Sequence, residues 1–444
     1  MPQADVVPRA MVIGAGISGM QAALDIAEAG HEVVLVEAQP YIGGNMARLS
    51  ETFPTLDCAS CILTPRTAEV GRHPRIRLLA NSRVERVEGS AGDFRVTVRK
   101  KATYVDWDRC TGCGDCVSRC PVKVPSEFER GLGEKKAVSI PFAQAVPYRP
   151  TIDPDHCLYI TRERCGLCAR VCQVEAIDYS QEDQLLTENV GSLVIATGYN
   201  LLGLDQLGEY GYGEIPDVID SLAFERLNSA SGPTQGEIRR PSDGRIPEEV
   251  VFIQCAGSRD AEKGVPYCSR ICCMYTAKHA HLFMHRHPES QAYIFFMDVR
   301  AGGKGYEEFV KRVTDDGAIY LRGRVSRVYQ EGDRVLVEGV DTLSQKPVSI
   351  AADLVVLATA VVPPSGSQDL FDSLRIETDG HGFVTEEHLK MRPAGTSVEG
   401  IFVTGCARGP MDIPDAVADA GAAAAQALRV LRQDSAVSTA GGEG

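Results

Sequence analysis

The residues of this chain best able to do chemistry are its fifteen cysteines, and most stand at ligand spacing. Cys110-x2-Cys113-x2-Cys116-x3-Cys120 is followed at once by Pro121, and Cys157-x7-Cys165-x2-Cys168-x3-Cys172 repeats the run with a longer first gap. Three thiolates on a tight loop hold three corners of an iron–sulfur cubane, while the fourth, three residues later, reaches the other cluster. Cys110, Cys113, Cys116 and Cys172 are thus expected to hold one [4Fe–4S] cluster, and Cys157, Cys165, Cys168 and Cys120 a second. Zinc ribbons or plain buried thiols compete with this reading, but zinc spacing does not explain four cysteines per run with a proline after the first. Cys58-x-x-Cys61 stands apart. Such a pair is a redox dithiol, a pair of ligands to a metal shared with another chain, or two buried apolar side chains, and spacing does not choose.

A second chemistry lies near the N-terminus. From Met11 to Glu37 the chain reads as an apolar strand, Gly14-x-Gly16-x-x-Gly19, an amphipathic helix, a second strand and an acid at its end. The glycines allow a sharp turn, close approach to a pyrophosphate and tight helix–strand packing, the helix N-terminus meets the phosphates, and Glu37 meets the adenosine ribose. Gly43-Gly44 follows, then a buried strand ending in Ala196-Thr197-Gly198, another at 354–364, and Gly405-Cys406 leading into a helix from Asp412 and Ile413. In this order the pieces resemble the two-dinucleotide-domain flavoproteins of the thioredoxin reductase and glutathione reductase kind. That resemblance implies FAD, with the last strand–loop–helix closing over the ribityl chain. One departure is that the usual Gly-Asp is Gly405-Cys406 here.

A second βαβ unit is legible: a strand at 250–258, a helix from about Cys272 and a strand at 292–300. Its turn reads Gln254-Cys255-Ala256-Gly257-Ser258, without the glycines a pyrophosphate needs, so NAD(P)H binding is not expected. Cys255 at the strand end, with Cys268, Cys272 and Cys273 at the helix start, makes four thiolates converging on the old phosphate cleft, which is read as an atypical third [4Fe–4S] site. A zinc site or a reactive disulfide is the alternative. His279, His281, His285 and His287 lack any HExxH-type carboxylate and are read as solvated or locally hydrogen-bonded. Lys304, in a glycine turn opening a helix, is either a surface charge or, at the end of a central strand, a group that reaches a flavin ring.

The elements that must position these groups define an α/β chain of two Rossmann-like domains with an inserted α+β ferredoxin-like domain. The expected boundaries are 1–103 (flavin domain), 104–182 (insert, two [4Fe–4S]), 183–228 (flavin domain), 229–350 (second Rossmann-like domain), 351–433 (flavin domain) and a disordered tail at 434–444, with 229–247 as a linker. Alternating residues at 76–100 predict a β-hairpin on the first domain. A net charge of −14 argues against nucleic acid and anionic membrane surfaces as partners. With no export signal, no transmembrane stretch and an odd cysteine count, a cytoplasmic location is expected.

Taken together, DCASCILTP, CTGCGDCVSRCPV, CGLCARVC, IQCAGSRD, YCSRICC, MDVRAGGKGYEEF and GCARGPMDIPDAVADAGAAAA resemble the A-type component of heterodisulfide reductase and its homologues over nearly the whole chain. The resemblance implies an oxidoreductase component with FAD and several [4Fe–4S] clusters, a homodimer core, and a flavin-proximal lysine that maps to Lys304. It also implies partners: B and C subunits or their equivalents, a hydrogenase or formate dehydrogenase as donor module, and ferredoxin. The chain starts at the first Rossmann strand and ends after the closing helix, so the extra N-terminal domain and C-terminal ferredoxin module of the longest members are not expected. Electron bifurcation is compatible with the resemblance and not required by it. Two other functions stay open: a free-standing disulfide reductase using Cys58 and Cys61, and a conducting scaffold whose flavin splits no electron pair. Twelve iron atoms and one FAD per chain are expected.

Overall fold

The computed structural model describes residues 6–203 and 206–432, so the expected tail at 434–444 lies outside the described residues. Five parallel strands form the first sheet, in the order Ile401–Val403, Ser192–Ile195, Arg9–Ile13, Glu32–Val36 and Ile76–Leu79. Val12 stands opposite Val194 on one side and Leu35 on the other. Buried on both faces, these strands carry almost continuous Val, Leu and Ile, as parallel strands covered on both sides must. On one face the helix Ile17–Glu28 packs against the C-terminal helix Ile413–Leu431, whose Ala420, Ala423, Ala424 and Ala427 let the two backbones approach closely. On the other face lies an antiparallel sheet of Ser82–Ser90, Asp93–Lys100 and Gln184–Val190. The hairpin predicted at 76–100 thus starts at Ser82, and Ile76–Leu79 joins the parallel sheet instead.

The second unit repeats the plan. Its parallel sheet runs Val218–Asp220, Leu354–Thr359, Glu249–Ala256, Gln291–Phe296, Ile319–Arg322, backed by the antiparallel strands Val325–Glu331, Arg334–Asp341 and Lys346–Ala352. Two expected boundaries are corrected by this topology. Val218–Asp220 and the wholly buried helix Ser221–Asn228 belong to the second unit, so it begins before 229; Leu354–Thr359 belongs there too, so it ends after 350. The expected linker at 229–247 is not a free tether. Ile238 is fully buried, and Arg240, 3% exposed, forms an ion pair with Asp217 at 2.8 Å. Its polar, glycine-containing composition hid these two anchors.

Residues 104–182 leave the first unit between the paired strands Asp93–Lys100 and Gln184–Val190. The exit is pinned by Gln181 Oε1, which accepts from the Thr103 and Tyr104 amides at 2.7 Å each. Within it, the short helices Asp115–Arg119 and Leu167–Val171 pack together. No helix among the described residues is long and apolar enough to cross a membrane.

Candidate functional site

A cavity of about 1050 Å³ opens where the first parallel sheet ends and both units meet. Gly14, Gly16, Glu37, Gly44, Ala196, Thr197, Gly198, Cys406, Asp412 and Ile413 line it; Gly19, Gly43 and Gly405 do not. Gly14 has φ +102° and a Cβ there would sit 2.2 Å from the Ala196 carbonyl oxygen, while a Cβ on Gly19 would sit 1.9 Å from Gly14 O. Those two glycines therefore serve the turn and the helix–strand contact. Gly16 differs: a Cβ on it would meet nothing within 4 Å, because it borders the open cavity at the N-cap of the helix Ile17–Glu28. Glu37 accepts from the amides of Ala15 at 2.7 Å and Gln39 at 2.8 Å; burial pushes its carboxyl up, and these hydrogen bonds oppose the shift.

Whether these residues suit a flavin dinucleotide can be judged from polar atoms left over. Thr197 Oγ1, Thr404 Oγ1 and His279 Nδ1 are buried, belong to residues that line this cavity and have no hydrogen-bond partner among the described residues. Buried polar groups are normally satisfied, so their grouping fits a polar ligand, and the volume suits a dinucleotide. Asp419 accepts from Gly405 N at 2.9 Å and pairs with Arg408 at 2.7 Å, while the Cys406 thiol is pushed up to about 11 by burial.

Sequence reasoning missed the charged cluster on the cavity's far wall. Glu225, Lys278 and His279 line the cavity and are nearly fully buried. Glu225 Oε1 pairs with Lys278 Nζ and accepts from His279 Nε2 at 2.6 Å; its Oε2 accepts from Ser50 N at 3.0 Å and Ser50 Oγ at 2.8 Å. Burial by itself would raise the Glu225 carboxyl, but the Lys278 and His279 side chains hold it well below the usual carboxylate range. Burial lowers His279, with Glu225 opposing the shift, and its Nδ1 is buried without a hydrogen-bond partner among the described residues. With Ser50, four residues from three separate stretches make this group, and no local spacing announces it. The histidines differ from the solvated or locally hydrogen-bonded expectation: His279 is buried against Glu225, and His281 reaches Asp316, 35 residues on, at 3.1 Å.

Lys304 lies in an exposed glycine turn after the strand Gln291–Phe296 and is not among the residues lining the cavity. Its neighbour Tyr306 turns inward instead, donating to Asp412 at 2.6 Å and packing edge-on against Phe53.

The twelve cysteines read as cluster ligands fall into two neighbourhoods. In the insert, Cys116, Cys120, Cys157 and Cys168 are buried in one small core with Cys110 and Cys172 packed against it, and Cys113 and Cys165 are exposed. The Cys116 thiol is pushed up to about 11, first by burial and then by Cys110, Cys168 and Cys113 beside it. Backbone amides donate to sulfur at Cys110 (Gly112 N, 3.4 Å) and Cys172 (Ala176 N, 3.2 Å), and Tyr179 Oη lies 2.9 Å from Cys168 Sγ. Among the described residues no three His, Cys, Asp or Glu side chains converge on a single-ion position.

In the second unit, Cys255 has φ +58° at a register shift in the strand Glu249–Ala256, and Cys272 and Cys273 open the helix Cys272–Arg286. The Cys272 thiol is raised strongly, first by its hydrogen bond to Cys255, whereas Cys273 falls to about 7 because Cys272 donates to it. Cys268 accepts from Arg270 N at 3.3 Å. A Cβ on Gly257 would lie 2.4 Å from Leu202, with Leu207 behind, so protein fills the space beside the degenerate turn. Cys272 and Cys273 pack with Tyr275, which itself lines the large cavity.

Parallel sheets, the glycine-lined cavity and the repeated Rossmann plan define a thioredoxin-reductase-like FAD oxidoreductase fold. A family model described as FAD dependent oxidoreductase matches residues 10–134. The solved thioredoxin reductase of Lactococcus lactis superposes with a TM-score of 0.53 at 15% identity, covering 96% of this chain and 99% of that one. More particularly, the chain is similar over nearly its whole length to A-type components of heterodisulfide reductase. It is 45% identical over 421 residues to the A-type component of the H(2):CoB-CoM heterodisulfide,ferredoxin reductase of Methanothermobacter thermautotrophicus, covering 94% of this chain and 63% of the relative. With the A-type iron-sulfur component of the CoB--CoM heterodisulfide reductase of Methanocaldococcus jannaschii it shares 46% over 422 residues, 94% of this chain and 64% of that one. The chain thus spans just under two thirds of the length of these relatives.

Proposed function

We propose that this protein is an electron-transfer oxidoreductase component that holds one FAD in the large cavity and three [4Fe–4S] clusters on its cysteine quartets, acting within a heterodisulfide-reductase-like complex. The carrying observation is that Tyr275 belongs both to the cavity wall and to the packing around Cys272 and Cys273, so a flavin and the third cluster would be near neighbours. When bound, FAD exchanges electron pairs for single electrons and the cubanes carry single electrons. Gly16 leaves room for the pyrophosphate, Glu37 is placed for the ribose, and Thr197, Thr404 and His279 offer unpartnered polar atoms. Lys278 presents a buried cation held by Glu225, suited to stabilise electron-rich groups in the cavity. Each thiolate of a cubane meets its own iron, so its sulfurs need not converge on one point as zinc ligands do.

The partners we propose are disulfide-reducing and cluster-bearing subunits of the B and C kind, a hydrogenase- or formate-dehydrogenase-like donor, and ferredoxin. This rests on the names of relatives such as the A-type component of the H(2)/formate:CoB-CoM heterodisulfide,ferredoxin reductase of Methanococcus maripaludis. The test is anaerobic purification with iron and flavin analysis. About twelve irons and one FAD per chain are expected, with Cys272→Ser losing four irons while keeping FAD. A yellow, iron-free protein bleached by NADPH would overturn the reading.

A further inference from the structure

A buried sulfur that carries negative charge needs hydrogen-bond donors from the protein, whereas an exposed one takes them from water. Cys58 and Cys61, at the start of the helix Ala59–Arg72, are exposed and do not line the flavin cavity, so water can serve them. Cys273 is different: it is 3% exposed, at the second position of the helix Cys272–Arg286. Its sulfur faces two oxygens. The thiol donates to Gln254 Oε1 at 3.5 Å and lies 3.7 Å from the Asp298 carbonyl oxygen. Gln254 is buried as well, and its Nε2 has no hydrogen-bond partner among the described residues.

This arrangement suits a thiol and not a thiolate. A cysteine binds iron as the thiolate, and its proton leaves to solvent as the metal binds. Two acceptor oxygens would then face a sulfur with no proton to give, beside an amide donor that stands unused. A carboxamide carries its oxygen and its NH2 group on one carbon, and a half-turn about the last side-chain bond exchanges them. Nε2 then donates to Cys273 Sγ instead of standing unpaired. The strand is shaped to allow it. Neighbouring residues of a regular strand point to opposite faces. The register shift and the φ of +58° at Cys255 break that alternation, so Cys255 meets Cys272 while Gln254 meets Cys273.

We propose that Gln254 is a positioning residue of the third cluster site: its side-chain amide donates to the Cys273 thiolate and raises the reduction potential of the cluster held there. The inference rests on the reading of Cys255, Cys268, Cys272 and Cys273 as a [4Fe–4S] quartet. A reduced cluster carries one more negative charge than an oxidised one, and a hydrogen bond to a ligand sulfur favours the more negative form. A raised potential makes the cluster packed beside Tyr275 a better acceptor of single electrons from the cavity.

The test uses the anaerobic holoprotein, with iron analysis and redox titration followed by EPR for wild type, Gln254→Met and Gln254→Glu. Gln254→Met keeps the length of the side chain and removes the donor, so its iron content should match wild type. The reduction equilibrium of one cluster should shift at least tenfold toward the oxidised form, about 59 mV for a one-electron couple, with the other two unmoved. Gln254→Glu, which sets a carboxylate beside the sulfur, should shift it further in the same direction. A direct readout needs no variant. Wild-type protein labelled with nitrogen-15 only in glutamine side-chain amides should show a nitrogen-15 coupling in pulsed EPR of the reduced third cluster. Should Gln254→Met lose that cluster, the labelled wild type decides alone. A full iron complement with an unshifted potential and no nitrogen-15 coupling overturns the inference and leaves the quartet standing. Wild type with two clusters only, and none on the Cys255 quartet, overturns both.

Discussion

At the scale of single residues the decisive group is Glu225 with Lys278 and His279: the buried Glu225–Lys278 ion pair is tolerable in the interior because each charge satisfies the other and His279 hydrogen-bonds the carboxylate. Removing one partner leaves an uncompensated buried charge, so Lys278→Met is expected to destabilise the protein by about 3–5 kcal/mol in urea unfolding. In the loaded protein the same change should lower the flavin potential, on the order of 30 mV or more, equivalent to about 1.4 kcal/mol for a two-electron couple. A structural role for Lys278 alone would leave that potential unmoved. His279 also makes stability depend on pH. Its folded value is depressed, so the unfolded chain binds the proton first, and stability falls as pH drops below about 6.5. The slope from this one proton is at most about 1.4 kcal/mol per pH unit, and His279→Gln should flatten it. Glu225 is depressed as well, so its contribution stays intact above the ordinary carboxylate range and is lost only in stronger acid.

At the scale of elements, the first strand–turn–helix unit and the cysteine-bearing helix Cys272–Arg286 each do one job. Gly14→Ala forces φ +102° on a residue with a side chain and drives it into the Ala196 carbonyl. A loss of about 1–3 kcal/mol from backbone strain alone is expected, with most FAD released on gel filtration. The helix Cys272–Arg286 carries two cysteines at its start and Tyr275, Lys278 and His279 within its next two turns, so the proposed cluster site and the cavity share one rigid support. Lengthening it by one alanine after Cys273 rotates the cavity residues by about 100° relative to the sulfurs. That insertion should uncouple flavin reduction from cluster reduction in rapid-mixing spectra before it removes either group.

At the scale of the whole molecule, two copies of one plan, a five-stranded parallel sheet backed by three antiparallel strands, have diverged in what their central turns hold. The first keeps its glycines open to a cavity; in the second, Leu202 and Leu207 pack beside Gly257 and cysteines take the remaining turn. NADH or NADPH should therefore neither bind nor bleach the flavin at millimolar concentration, which absorbance under anaerobic titration checks. Inserting residues 104–182 between two paired strands, rather than at a terminus, fixes its distance to the flavin unit at both ends.

Much of this was legible because it is local. Cysteine spacing, Gly14-x-Gly16-x-x-Gly19 with Glu37, and the loss of glycines at Gln254–Ser258 are set within a turn or a strand, where residue type and chemistry are tied directly. What required the tertiary structure was convergence over distance. Nothing near Ser50, Glu225 or Lys278 in the chain says that they meet, and nothing near Lys304 says that its turn is exposed. Sheet membership likewise rests on pairing: only hydrogen bonds to neighbouring strands assign 218–220 and 354–359 to the second unit, since a buried run of apolar residues reads the same in either sheet.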